Sequence, residues 1–449
     1  MARRRGAAAA AALIAVCASL VGCAAQQSLA TGFVESKGVL ARRAAAARRP
    51  PAAEDILVSR KFAAKPLASR VPDEHIILTS ADVRPVLSRH LRGARVKTVF
   101  TGLPGFSGAA VQGRLTNATL RALLADPRVS LVEEVSVVSA LGGGGGGVAA
   151  SAIQASPPWN LDRIDERDLP LDGKYSFSSC TCPLKAGNGT WIYVIDTGVR
   201  RTHADFGGRG RTGAFWPYPG VDSDLDLNGH GTHVAGTAAS RTYGVAKAAL
   251  VVPVKVLDDS GSGTNDAVAA GIAWALSDPR PGSNALKVLS MSLGGPRSEA
   301  LDAAVYSAYL AGAVVVAAAG NDGADACGTS PAGARGALAV GATTRTDARA
   351  AFSNFGTCVA LFAPGNDVPS LSHLSDTSTA PVVLSGTSMA APAVAGVAAR
   401  VIASGACARG VEANDCVADR LLADATRGRV SDRGPRSPNR LLFRAATVA

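Results

Sequence analysis

Four apolar, β-rich runs recur in the C-terminal two thirds of the chain: WIYVID (191–196), ALVVPVKVL (249–257), KVLSMSL (287–293) and AVVVAAAG (313–320). Between them lie stretches with helical spacing: THVAGTAAS, NDAVAAGIAWALSD and SEALDAAVYSAYLAG. Near-continuous apolar strands suit a sheet buried on both faces, and strand–helix alternation implies that the sheet is mostly parallel with helices on either side. Such sheets gather their working residues beyond the carboxyl ends of the strands. Asp196, which ends the first run, is therefore the first functional candidate.

The net charge of +11 points at first to nucleic acid. Residues 1–150 hold 20 Lys and Arg against 9 Asp and Glu, whereas residues 151–449 hold 26 against 26. The α/β region is thus neutral, and a nucleic-acid partner is not expected, because that reading needs basic residues on the folded working surface. Part of the basic excess is Arg3, Arg4 and Arg5, followed by an apolar stretch to about Val21. This pattern reads as a secretory signal over residues 1–23. No later run reaches the roughly 18 uninterrupted apolar residues of a spanning helix. Export fits the cysteines: without Cys17 and Cys23 the total of 8 leaves six, Cys180, Cys182, Cys327, Cys358, Cys407 and Cys416. An even number in an exported chain suggests disulfides.

Residues 24–72 are rich in Ala, Arg and Pro and read as a flexible linker. Residues 73–140 change character. HIILT (75–79) reads as a strand, VRPVLSRHL (83–91) as a helix, and RVKTVF and GFSGAAVQG as strands paired about a turn at Leu103–Gly105. NATLRALLADP (117–127) reads as a helix capped at Asn117 and stopped by Pro127, and VSLVEEVSVVSA (129–140) as a strand. The order β-α-β-β-α-β implies a small split-βαβ α+β domain. Residues 141–152 carry six consecutive glycines, a tether open to proteolysis.

Three polar stretches interrupt the apolar scaffold: DTGV from Asp196, NGHGTHVAG (228–236), which opens a helix at His230, and SGTSMAAP (385–392), which holds Ser388. A serine hydroxyl becomes a useful nucleophile only beside a base, and the base needs a group that fixes its tautomer. Asp, His and Ser supply those three roles. Ser388 at a helix start would also lie where backbone N–H groups and the helix dipole favour negative charge.

The Asp–His–Ser order is the subtilisin solution to this requirement, and the chain resembles the subtilisin-like serine endopeptidases, more narrowly the proteinase K-like branch. The resemblance runs over residues 153–449 and includes SPPWNLDRID, RTHADFGGR, KVLDDSGSG, MSLGG, AAAGNDG, FSNFG and APG. It implies a three-layer fold with a mostly parallel central sheet, and a catalytic triad of Asp196, His230 and Ser388, with His203 and His233 structural. It implies Asn321 as side-chain donor to the oxyanion. Gly261, Ser262 and Gly263 on one side, and Ser292, Leu293 and Gly294 on the other, would bind an extended peptide. Ala318, Ala319 and Gly320 would wall the pocket of the residue before the cut, whose small apolar lining implies a broad apolar preference. No cofactor takes part in the chemistry. Residues 73–140 resemble the family's inhibitor-type propeptide, removed by a cut between Ser139 and Ile153.

The resemblance also pairs Cys327 with Cys358. A second family disulfide has Leu227 and Asp259 at its positions. Cys407 is expected to pair with Cys416, while Cys180 and Cys182 stay unassigned, with a bridge from either of them to Cys407 or Cys416 left open. By the same resemblance, Asp367 with the carbonyls of Arg335 and Ala337 forms a calcium site, and VDSDLDLN (221–228) is a second candidate or a solvated loop. LVGC at Leu20–Cys23 resembles a bacterial lipobox, which leaves two outcomes: lipid attachment at Cys23, or cleavage near Ala24 or Ala25 with free secretion. The expected protein is an exported monomer, extracellular or anchored at the cell envelope, acting on polypeptides and inhibited by its own propeptide. Two alternatives stand beside it: a processing protease with one target, and a catalytically silent binding protein on the same fold.

Overall fold

The computed structural model describes residues 62–140 apart from Ala64 and Arg92, then 153–177, 186–215, 223–282, 285–407 and 412–444. The signal and lipobox, the linker up to Lys61, the glycine tether, and Cys180 and Cys182 lie outside the described residues.

The small N-terminal part is built as its periodicity predicts. Strands β2 (Arg70–Thr79), β3 (Arg95–Leu103), β4 (Phe106–Gln112) and β5 (Val129–Ala140) form an antiparallel sheet in the order β5-β2-β4-β3. Helices α1 (Arg84–His90) and α2 (Asn117–Ala125) cross between them. Thr116, not Asn117, caps α2, its hydroxyl accepting from Thr119 N–H at 3.1 Å. The linker is shorter than expected. Residues 62–72 belong to the folded domain: β1 (Phe62–Ala63) pairs parallel with β5, and a 3-10 turn at Leu67–Ser69 leads into β2. That segment lacks a period of its own, and contacts distant in sequence order it: its pairing with β5, the packing of Phe62 and Ala63 on the two cores, and the Lys65 bond to Arg297 O.

Alternation along β2 separates two cores. Ile77 faces Val86, Leu123 and Val132 beneath α1 and α2. Ile76 and Leu78 face the other way, into a core shared with the larger part of the molecule.

The larger part opens with the hairpin of β6 (Ile153–Ala155) and β7 (Lys174–Ser176), on either side of α3 (Trp159–Asp165). Its central sheet holds β8 (Trp191–Asp196), β9 (Ala214–Phe215), β10 (Leu250–Lys255), β12 (Lys287–Met291), β14 (Val314–Ala318), β16 (Ala337–Thr343) and β17 (Val359–Pro364), with β20 (Thr426–Arg427) and β21 (Arg440–Leu441) at one edge. The order is β20-β21-β17-β16-β14-β12-β8-β10-β9, parallel except for β20 against β21. In β8, Ile192 and Val194 enter one core while Tyr193 and Ile195 enter the other. Helices α4 (His230–Ala239) and α7 (Thr387–Ser404) fill the first face; α5 (Asn265–Ser277) and α6 (Glu299–Leu310) fill the second. The C-terminal helix α8 (Ala413–Asp424) packs beside α7. Three short strands lie outside the layers: β11 (Ser262–Thr264), β13 (Leu293–Pro296) and β15 (Thr329–Ser330). A hairpin of β18 (Val368–Ser370) and β19 (Val382–Leu384) follows β17. α7 is long and apolar enough to cross a membrane, yet it is buried in the protein core.

Candidate active site

The parallel register brings the polar segments together. Met291 pairs with Ile195 and Lys255 with Asp196, so Asp196 and Ser292 end neighbouring strands at the same edge. His230 begins α4, and its Nδ1 lies 2.7 Å from Asp196 Oδ1. The same oxygen accepts from Thr197 N–H at 2.7 Å, and Asp196 is fully buried. Gly231 must be glycine, because a Cβ there would sit 2.0 Å from the Gly198 carbonyl oxygen. That contact lets α4 start close enough for His230 to reach Asp196.

Ser388 stands in the first turn of α7, and its hydroxyl donates to Ser292 O at 2.9 Å. Pro392 lies four residues on and lacks the N–H that would bond Ser388 O. Ser292 Oγ takes that carbonyl instead, at 2.9 Å. Serine 388 is thus tied to Ser292 through both its hydroxyl and its carbonyl. Asn321 follows β14. Its Oδ1 accepts from Thr387 N–H at 2.9 Å and Thr387 Oγ1 at 2.8 Å, and Thr387 Oγ1 accepts from Gly320 N–H at 3.1 Å. These bonds fix the carboxamide with nitrogen as its donor edge.

The two segments expected to bind peptide flank an extended chain, which is the end of β5. Ser262, Gly263 and Thr264 pair antiparallel with Ser139, Val138 and Val137. Leu293 and Gly294 pair with Ala140 and Ser139, and Ala140 N–H donates to Gly261 O at 2.9 Å. Ala318 and Ala319 are in place beside Asn321, but their methyls enter the hydrophobic cores, so any wall they give the cleft is backbone. Gly320 (φ +105°) leaves no room for a side chain against Asn354.

Asp226 escaped the sequence reading, which took its stretch for a metal candidate or a solvated loop. It is fully buried. Its carboxylate accepts from Asn228, Gly229 and Thr232 N–H at 3.1, 2.7 and 2.8 Å and from Thr197 Oγ1 at 2.9 Å. Thr197 Oγ1 accepts in turn from Gly231 N–H at 2.9 Å. Asp226 therefore satisfies the start of α4 and ties it to the loop after Asp196. A carboxylate just before a helix start was the available signal.

The proposed calcium residues do not fit together. Ala337 begins β16 and Arg335 precedes it, whereas Asp367 lies beyond the end of the parallel strand β17, at the opposite edge of the sheet. Asp367 accepts from Ser385 Oγ at 3.1 Å and Asn366 Nδ2 at 2.6 Å, and Arg335 stacks on Tyr306. Among the described residues no cluster of three or more His, Cys, Asp or Glu could hold a metal.

His233 Nε2 lies 3.0 Å from the carbonyls of Val368 and Val382, and burial pushes its imidazole down to about 3. His203 accepts from Asp205 N–H at 3.1 Å, and burial lowers its pKa as well. Disulfides join Cys327 to Cys358 and Cys407 to Cys416. Where a second family disulfide was expected to be missing, Asn228 Nδ2 donates to Asp259 O at 3.1 Å and Lys255 Nζ pairs with Asp259 at 2.9 Å.

A buried carboxylate–imidazole pair and a serine hydroxyl at a helix start, on one edge of a parallel sheet, define the class of serine hydrolases. Comparison with known proteins narrows this. Residues 187–428 match the subtilase family, Peptidase_S8. The chain is 44% identical over 355 residues to an extracellular serine proteinase of Thermus sp. (strain Rt41A), covering 79% of this chain and 78% of that one. It is 39% identical over 366 residues to a cuticle-degrading serine protease of Arthrobotrys oligospora, covering 80% and 83%. The crystal structure of a cold adapted subtilisin-like serine proteinase aligns at a TM-score of 0.58 and 41% identity, covering 65% of this chain and all of that one. The chain belongs to the subtilase family: its fold is subtilisin-like and it is a serine endopeptidase.

Proposed function

We propose that Ser388 is the nucleophile, His230 its general base and Asp196 the group that orients the imidazole, in a secreted endopeptidase made as a self-processing precursor. The observation that carries this is the 2.7 Å His230–Asp196 contact at the sheet edge where Ser292 holds Ser388. Before attack, the Ser388 hydroxyl turns from Ser292 O to His230 Nε2. His230 takes its proton as Oγ adds to a peptide carbonyl, and Asp196 stabilises the imidazolium. Asn321 Nδ2 and Ser388 N–H donate to the oxyanion. The protonated imidazole gives its proton to the leaving amine, and water hydrolyses the acyl-enzyme.

Substrate adds as a strand between β11 and β13, the mode by which extended peptides use exposed edges. The pairing of Val137–Ala140 there supports both this mode and the reading of residues 62–140 as a propeptide that occupies the cleft. A broad apolar preference rests on the small residues about the cleft. Secretion is supported by the signal-like N-terminus and by the extracellular relative, and the motifs between the triad residues favour the proteinase K-like branch.

The test expresses the full chain beside Ser388→Ala under oxidising conditions, with intact masses and casein hydrolysis read for both. The wild type should shed its N-terminal part and digest casein, and the variant should do neither. Casein hydrolysis by Ser388→Ala at the wild-type rate would remove Ser388 from the mechanism.

A further inference from the structure

We infer that Lys255 is a positioning residue for the Asp196–His230 pair, acting through a closed ring of hydrogen bonds that also reaches the substrate strand. The inference rests on the roles proposed above for Asp196, His230 and Ser388, and goes beyond them by naming what holds the first two in place. Lys255 ends β10 and stands opposite Asp196 in the parallel register. It is 2% exposed, and the chemistry of the triad makes no use of its charge. Burying an ammonium is costly, and an apolar side chain of similar volume often packs as well or better. What the ammonium touches explains why it is there.

Lys255 Nζ donates to Thr197 O at 2.6 Å and to Asp259 Oδ1 at 2.9 Å. From Thr197 the bonds run to the carboxylate of the pair. Thr197 N–H donates to Asp196 Oδ1 at 2.7 Å, and His230 Nδ1 lies 2.7 Å from that same oxygen. Asp196 Oδ2 has no hydrogen-bond partner among the described residues, so the carboxylate takes its orientation through Oδ1. From Asp259 the bonds run to the imidazole side. The Asp259 carbonyl accepts from Asn228 Nδ2 at 3.1 Å, and Asn228 Oδ1 accepts from His230 N–H at 3.2 Å. Lys255, Thr197, Asp196, His230, Asn228 and Asp259 thus close a ring of six residues, with Lys255 as the donor that joins its two arms.

Asp259 also belongs to the turn that sets β11. Its neighbour Asp258 accepts through Oδ1 from Ser260 and Ser262 N–H at 2.9 and 3.0 Å, and Asp258 N–H donates to Ser262 O at 2.7 Å. Ser262 in turn faces Ser139 in the cleft. The strand that receives a peptide is thereby linked to the first residue of α4. Without the ammonium, Asp259 and the Thr197 carbonyl lose their common donor. The turn before β11 and the loop after Asp196 are then free to drift apart, and the His230–Asp196 contact loosens. Misplacement by about 1 Å is enough to cost on the order of 10²-fold in rate.

The test expresses the full chain as wild type, Ser388→Ala, Lys255→Met, Asp259→Ala and Asp259→Asn. Active sites are counted by the mass gained on reaction with phenylmethanesulfonyl fluoride, and kcat and KM for an extended peptide amide are read per counted site. Asp259→Ala leaves the backbone carbonyl that Asn228 uses, so it removes only the side-chain partner of the ammonium. Lys255→Met and Asp259→Ala should each lower kcat per site by about 10- to 100-fold, with KM changed far less. Asp259→Asn, whose carboxamide oxygen still accepts from Lys255, should recover most of that loss. A part confined to stability would reduce the number of counted sites and leave kcat per site as in the wild type. That result in Lys255→Met or Asp259→Ala overturns the inference, and so does an equal loss of kcat in Asp259→Ala and Asp259→Asn. Should Lys255→Met give no countable sites, the two Asp259 variants decide by the same criterion. Hydrolysis by Ser388→Ala at the wild-type rate would instead overturn the triad reading, and this inference with it.

Discussion

Asn321, proposed above as an oxyanion donor, is held by hydrogen bonds on one edge of its carboxamide. Its oxygen is occupied by Thr387, so its nitrogen is the edge that can meet developing negative charge. Asn321→Ala should lower kcat by about 10²–10³, the range such a donor is worth in subtilisin itself, with KM little changed; steady-state kinetics on a peptide substrate check it. Asp302 offers a second residue-scale test. Burial pushes its carboxyl up to about 6, against the opposing pull of the Ser330 hydroxyl and Arg297, while nearby Glu133 adds to the rise. A raised carboxyl favours the protonated folded state, so this group adds stability as pH falls from above 6 towards 4 and withdraws it as pH rises through 6. On the Ser388→Ala background, urea unfolding of Asp302→Asn should lose that segment of pH dependence. A wild-type curve and a variant curve of equal slope between pH 4 and 7 would refute it.

At the scale of the element, α4 is the part whose position matters most, because it carries His230 from its first residue. Asp226 supplies acceptors to three N–H groups about its start and to Thr197. Asp226→Ala leaves these donors buried without a partner, at a cost of about 1–3 kcal/mol for each that water cannot reach. The expected outcome is a lower unfolding midpoint on the Ser388→Ala background. In the active chain kcat should fall as well, because the His230–Asp196 geometry depends on the same start. Unchanged kcat with lowered stability would restrict Asp226 to a structural part. α7 is tuned differently: Pro392 removes one internal hydrogen bond, and the freed Ser388 carbonyl becomes the tie to Ser292. Helix periodicity finds α7 readily but says nothing of where its unsatisfied carbonyl goes.

For the whole molecule, the small domain and the peptidase share one apolar core, and a buried ion pair within the small domain bonds across to Arg297, Ser298 and Glu299 of the peptidase. Lys65 Nζ lies 3.3 Å from Glu133 and donates to Arg297 O at 2.5 Å, with both side chains nearly or wholly buried. Removing one member of a buried pair strands the other charge, a loss of about 3–5 kcal/mol. Lys65→Met on the Ser388→Ala background should therefore make the small domain more sensitive to an added protease, read as the rate of its loss on a gel; an unchanged rate would contradict this. Lys65 also marks the limit of reading from sequence. The runs of β8, β10, β12 and β14, the amphipathic small domain and the motifs holding Asp196, His230, Asn321 and Ser388 were legible, because strand period, helix period and spaced polar segments are local properties. Residues 62–72 looked like linker, since a two-residue strand has no period and is ordered by partners distant in sequence, β5 and Arg297 among them. Asp226 looked like a loop acid, since its partners are backbone groups that leave no sequence trace. The calcium set failed because spacing along the chain cannot tell which edge of a parallel sheet a residue reaches. By itself the sequence determined the layers, the order of elements and the chemistry of the three polar segments. Only the tertiary structure decided which buried donors and acceptors meet, because these depend on strand register and packing across the two parts of the molecule.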